Sequence, residues 1–191
     1  MVQMSLSINL VEEISRIRKE PEWMREKRIE AWKIFKSLPM PQWRYFDEEK
    51  SEFRYAEEWK YTSQHISELD LSGFIPIIKS EEPKVPLKEE KRARSGLFMQ
   101  KDSKTINVAL RDDLRDKGVV FTPLREALME HPELVKKYFM ELVPPSENKF
   151  VALHGALWDG GAFLYVPENV KLNLPLQSSF LVTSGKAFFN H

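Results

Sequence analysis

The stretch Gly161-Ala-Phe-Leu-Tyr-Val-Pro-Glu-Asn-Val-Lys-Leu-Asn-Leu-Pro-Leu-Gln177 marks a change of rule in this 191-residue chain. Before it, apolar residues recur at helical spacing. Within it, the period is two. Phe163 to Val166 reads as an apolar strand, and Pro167-Glu168-Asn169 as a turn. Val170, Leu172, Leu174 and Leu176 then alternate with Lys171, Asn173, Pro175 and Gln177. Two more strands, Phe180 to Thr183 and Ala187 to Phe189, flank the turn Ser184-Gly185-Lys186. Short strands at near-regular spacing predict a sandwich, a barrel or a stacked β-helix.

Charge shifts at the same place. Residues 1–150 hold 54 of the 58 charged side chains, and the last 41 hold only Asp159, Glu168, Lys171 and Lys186. A segment so poor in charge needs cover for its faces. The apolar strand pattern runs to His191, and an open apolar edge invites aggregation. The expectation is therefore a longer β architecture or a partner over that edge.

Upstream, two helices are predicted. Ile8, Val11, Ile14 and Ile17 recur every three positions, with Asn9 and Glu12 as a capping pair. Pro21 opens the second helix, in which Met24, Ala31, Phe35 and Leu38 share a face beside Trp23 and Trp32; Pro39 and Pro41 end it. Arg28 falls on that apolar face, which predicts a buried carboxylate partner.

Residues 42–95 read as an irregular aromatic-rich segment followed by a charged linker. Arg44-Tyr45-Phe46, Phe53-Arg54-Tyr55 and Trp59-Lys60-Tyr61 interleave aromatic and basic residues, a pattern that can bind single-stranded nucleic acid. Glu48, Glu49, Glu52, Glu57 and Glu58 would repel phosphate, so ordinary aromatic packing is the reading. Residues 80–95 carry nine charges and two prolines, the composition of a solvated crossing.

Residues 96–160 predict a small region of strands and helices. Gly96 to Gln100 and Thr105 to Leu110 form a hairpin about Lys101-Asp102-Ser103-Lys104, and Gly118 to Phe121 is a third strand. Thr122 is the expected cap of a helix starting at Pro123. A second helix after His131-Pro132 buries Leu134, Val135, Tyr138, Phe139 and Leu142. Ser146 caps a third, with Phe150, Leu153 and Leu157 on one side. The resulting divisions are 1–41, 42–95, 96–160 and 161–191.

Chemistry is sparse. There is no cysteine, which removes thiolate ligands and thiol nucleophiles from this stretch. The four histidines, His65, His131, His154 and His191, are all more than ten residues apart, and no metal or phosphate-binding motif is present. Equal numbers of acidic and basic residues, 29 each, argue against a general nucleic-acid binder. No signal peptide or membrane-spanning run is evident, so a cytoplasmic address is expected. His154, Asp159 and Ser178 could be arranged as base, orienter and nucleophile of a hydrolase, but no GxSxG elbow supports them. His154 is expected to be a partly buried helix residue and His131 a helix cap. The sequence thus nominates no catalytic, cofactor-binding or metal-ligating residue.

Three blocks nevertheless resemble the SufB/SufD family. They are Glu20-Pro-Glu-Trp-Met-Arg-Glu-Lys-Arg-Ile-Glu-Ala-Trp-Lys-Ile-Phe35 with Leu38-Pro-Met-Pro41; Glu130-His-Pro-Glu-Leu-Val-Lys-Lys-Tyr-Phe139 with Val143-Pro-Pro145 and Asn148-Lys-Phe150; and Gly161 to Val170 with Leu174-Pro-Leu-Gln177. Trp59-Lys-Tyr-Thr62 with Leu69-Asp-Leu71 looks more like SufD. The resemblance implies an α+β fold: a helical amino-terminal region with small strands, leading into the first coils of a right-handed parallel β-helix. It also implies a non-enzymatic scaffold for iron–sulfur cluster assembly, working with a SufB/SufD paralogue and a SufC-like ABC ATPase. Family members are more than twice this length, and their cluster-associated cysteine and histidine positions correspond to none here. The cluster is accordingly expected only of the full-length complex, and no cofactor, nucleic acid or membrane of this chain itself. The alternative is a general protein–protein interaction module without a cluster role.

Overall fold

The computed structural model describes residues 7–39, 44–55, 93–101 and 104–181. The fold is mixed helix and strand, as expected, and divides into two compact units. One contains residues 1–71 and 140–157; the other contains 72–139 and 158–191.

The first unit begins with helix α1, Ile8–Arg18. The expected Asn9–Glu12 pair is not its cap. Ser7 takes that place in extended conformation, and its Oγ accepts from the Leu10 N–H at 3.3 Å. The helix ends where Lys19 turns left-handed, φ 53°, and Glu20 N–H returns to the Ser15 carbonyl. Pro21 then holds the extended backbone before α2, Glu22–Ser37. Met24, Arg28, Ala31, Trp32 and Phe35 are buried at spacings of three and four, while Leu38 is half-buried beyond the helix end.

Part of the stretch read as irregular is a hairpin. Strands β1, Arg44–Asp47, and β2, Glu52–Tyr55, pair antiparallel from Arg44↔Tyr55 to Asp47↔Glu52.

The last helix of this unit (called α6, in chain order) is Lys149–Leu157. Asn148, not Ser146, is its cap, since Asn148 Oδ1 accepts from the N–H groups of Phe150 and Val151 at 2.9 and 3.1 Å. Ala152, Leu153, Gly155, Ala156 and Leu157 are buried. The helix crosses α2 closely: a Cβ built on Gly155 would lie 3.1 Å from the Ala31 Cβ.

In the second unit, β3, Gly96–Lys101, is the centre of a three-stranded sheet. It pairs antiparallel with β4, Lys104–Leu110, confirming the hairpin, with a register shift between Met99 and Gln100. On its other side lies β7, Leu176–Leu181, running parallel from Gly96↔Leu176 to Lys101↔Leu181. Leu97 and Phe98 alternate to opposite faces of this central strand and both are buried, as is Gln100. Phe98 packs between Phe121 and Phe180, with ring centroids 6.2 and 5.8 Å away.

A short helix, α3 at Asp112–Arg115, leads to β5, Val120–Pro123, which pairs antiparallel with β6, Ala162–Tyr165. Thr122 and Pro123 close β5, and the expected helix does follow, with Pro123 rather than Thr122 at its N-cap position. Helix α4, Leu124–Glu130, follows. Pro123 is extended, ψ 139°, and the Leu124 N–H is held by the Gly161 carbonyl. Helix α5, Pro132–Tyr138, is shorter than expected. Phe139 is extended and Met140 adopts φ 63°, so the helical face never reaches Leu142. Only Val135 of the five expected core residues is fully buried; Tyr138 is 55% exposed and Leu142 96%.

The alternation at residues 170–176 is real in burial but not in pairing. Val170, Leu172 and Leu174 are half-buried and Lys171, Asn173 and Pro175 exposed, yet strand pairing begins only at Leu176. Of the expected strand Phe180–Thr183, Phe180 and Leu181 form the end of β7; its remainder, the expected strand Ala187–Phe189 and the linker before Ala93 lie outside the described residues.

Candidate functional site

The residues weighed for a hydrolase occupy unlike surroundings. His154 sits on α6 in the first unit and is exposed, not partly buried. It falls opposite the face formed by Ala152, Leu153 and Ala156, so helical spacing turns it outward. Asp159 and Ser178 belong to the second unit. Asp159 is wholly buried and engaged by Arg125, while Ser178 is an exposed residue of β7. His131 stands at the N-cap position of α5, but its backbone carbonyl, not its side chain, accepts the Leu134 N–H. His65 and His191 lie outside the described residues. No group of three or more His, Cys, Asp or Glu side chains comes together among the described residues.

The organised polar groups instead hold elements to one another. Arg28 lies on the apolar face of α2 with no exposed surface. Its Nε and Nη2 each donate to a Glu20 carboxylate oxygen at 2.7 Å, the two-pronged geometry that suits guanidinium and carboxylate. Arg18 Nη1 stands 3.9 Å from the same carboxylate. The carboxylate expected from the sequence is thus Glu20, in the turn just before α2. The third donor, Arg28 Nη1, reaches the Ala156 carbonyl near the end of α6 at 3.0 Å.

Lys149 makes the reciprocal contact. From the first turn of α6, its Nζ donates to the Phe35 and Leu38 carbonyls at the end of α2, both at 2.7 Å. It also stands 4.7 Å from the Phe35 ring centroid. A cation at a helix C-terminus meets the negative end of the helix dipole. Burial, with the Lys36 charge second, nevertheless lowers the Lys149 pKa below the ordinary lysine value. Sequence reasoning missed Lys149, because nothing in local spacing shows which distant carbonyls a lysine will meet.

In the second unit, Arg125 clamps Asp159 twice: Nε donates to its backbone carbonyl at 2.7 Å and Nη2 to Oδ1 at 3.1 Å. Ser95 ties three segments together. Its N–H donates to the Pro175 carbonyl and its hydroxyl to the Leu174 carbonyl, while its own carbonyl accepts the Arg111 N–H. Arg94 Nη1 donates to Gln177 Oε1 at 3.0 Å. These bonds align the start of β3 with the start of β7 and set their parallel register. Gly96 is required at that point, since a Cβ there would fall 2.8 Å from Leu176 Cδ2 and 2.9 Å from the Ala109 carbonyl oxygen. The described charges and hydroxyls singled out here join segments within each of the two units.

Residues 94–178 match the family described as the SufBD protein N-terminal region. Two of the three blocks quoted above, those at 130–150 and 161–177, fall inside that match. Among curated relatives, an iron–sulfur cluster assembly SufBD family protein of Staphylococcus haemolyticus is 38% identical over 182 residues, covering 94% of this chain and 38% of the relative. A protein of the same description from Staphylococcus aureus strain USA300 is 37% identical over 181 residues, with the same coverage. The chain therefore spans about two fifths of the length of these relatives.

Proposed function

We propose, since the chain belongs to the SufBD family and matches its amino-terminal region, that it serves a scaffold subunit in iron–sulfur cluster assembly. The observation that carries this reading is identity of 38% sustained over 94% of the chain, a span too long for a shared motif alone. The chain's own part is architectural and non-enzymatic. It contributes folded supports, while ATP hydrolysis comes from a SufC-like ABC ATPase and the second half of the scaffold from a SufB/SufD paralogue. The cluster is the cargo of the assembled complex, and with no cysteine this stretch offers it no thiolate. The complex works in the cytoplasm.

The parallel pairing of β3 with β7 supports a β-helix as the architecture that follows. Parallel strands repeat only if a crossover carries the chain back to the same end, and stacked coils of a solenoid are built in this way. Leu176–Leu181 is then a strand of an early coil.

The test is co-expression of a full-length form containing residues 1–191 with a SufC-like ATPase and a SufB/SufD paralogue. A stable three-component complex that acquires and passes on a cluster is the expected result. A full-length form that folds but recovers neither the ATPase nor the paralogue would overturn the proposal and leave an interaction module with another role.

A further inference from the structure

We draw no further inference here: the strongest candidate, the exposed apolar tip Leu142-Val143 ahead of Pro144-Pro145 on the segment leading into α6, carries none because nothing in the structure shows what covers it.

Discussion

Arg28 and Ala156 are joined by a buried hydrogen bond, guanidinium Nη1 to backbone carbonyl at 3.0 Å, across 128 positions of sequence. The same guanidinium holds Glu20 with its other nitrogens. One side chain therefore fixes the α1–α2 turn, the apolar face of α2 and the end of α6.

Removing that side chain leaves a carboxylate buried without its two-pronged partner. Arg28→Met is expected to destabilise the first unit by about 3–5 kcal/mol. The double variant Arg28→Met with Glu20→Gln removes the charge as well and should recover at least half of that loss. Urea unfolding followed by hydrogen exchange in α2 measures both. A double variant no better than the single one would contradict the charge argument.

Lys149→Met removes two donors from the final carbonyls of α2 and should cost about 1–2 kcal/mol. The pH dependence has a definite sign. Burial lowers the folded-state pKa, so between that value and the ordinary lysine value the unfolded chain binds more protons. The stability that Lys149 contributes should therefore rise as pH is raised through this alkaline window, and fall back as pH drops below it. The difference between wild type and Lys149→Met, measured across alkaline pH, reports this directly. A difference that shrinks with rising pH would refute it.

Gly96→Ala tests the parallel pair. Its Cβ would meet the Ala109 carbonyl oxygen, which is backbone and cannot rotate aside. A loss of about 1–3 kcal/mol is expected, as for other overpacked sites, with hydrogen-exchange protection falling in β3 and β7. Unchanged protection in both strands would show that the sheet can absorb the methyl group.

His154→Ala should leave stability within about 0.5 kcal/mol, because the side chain is exposed on α6. On the proposed function, the same variant of the full-length form should leave cluster assembly unchanged. A hydrolytic activity that disappears in this variant at unchanged stability would instead revive a catalytic reading.

Much of the helical part was legible because the burial pattern is local. Met24, Ala31 and Phe35 announce their face by spacing, and a guanidinium on that face points to a buried carboxylate, though not to which one; the structure supplies Glu20. The caps were harder. Ser7 and Asn148 are the caps where spacing favours Asn9 and Ser146, since several polar residues near each start satisfy the same chemical rule. The five-residue core expected after Pro132 failed for a different reason. Backbone turns at Phe139 and Met140 stop α5 before its apolar period is complete, and a period carries no information about where it ends. The β3–β7 pair was not legible at all. Its partners lie 80 residues apart, and the register is set by Ser95 and Gly96 meeting residues that no local pattern connects to them.

The bond from Arg28 to Ala156 also sets a timetable. At roughly 5–20 residues per second, a ribosome needs on the order of ten seconds to make the chain between them. Until then the side of α2 that carries Arg28 and Ala31 has no α6 to pack against. The first unit can therefore close only after residues 72–139, which belong to the second, have been made.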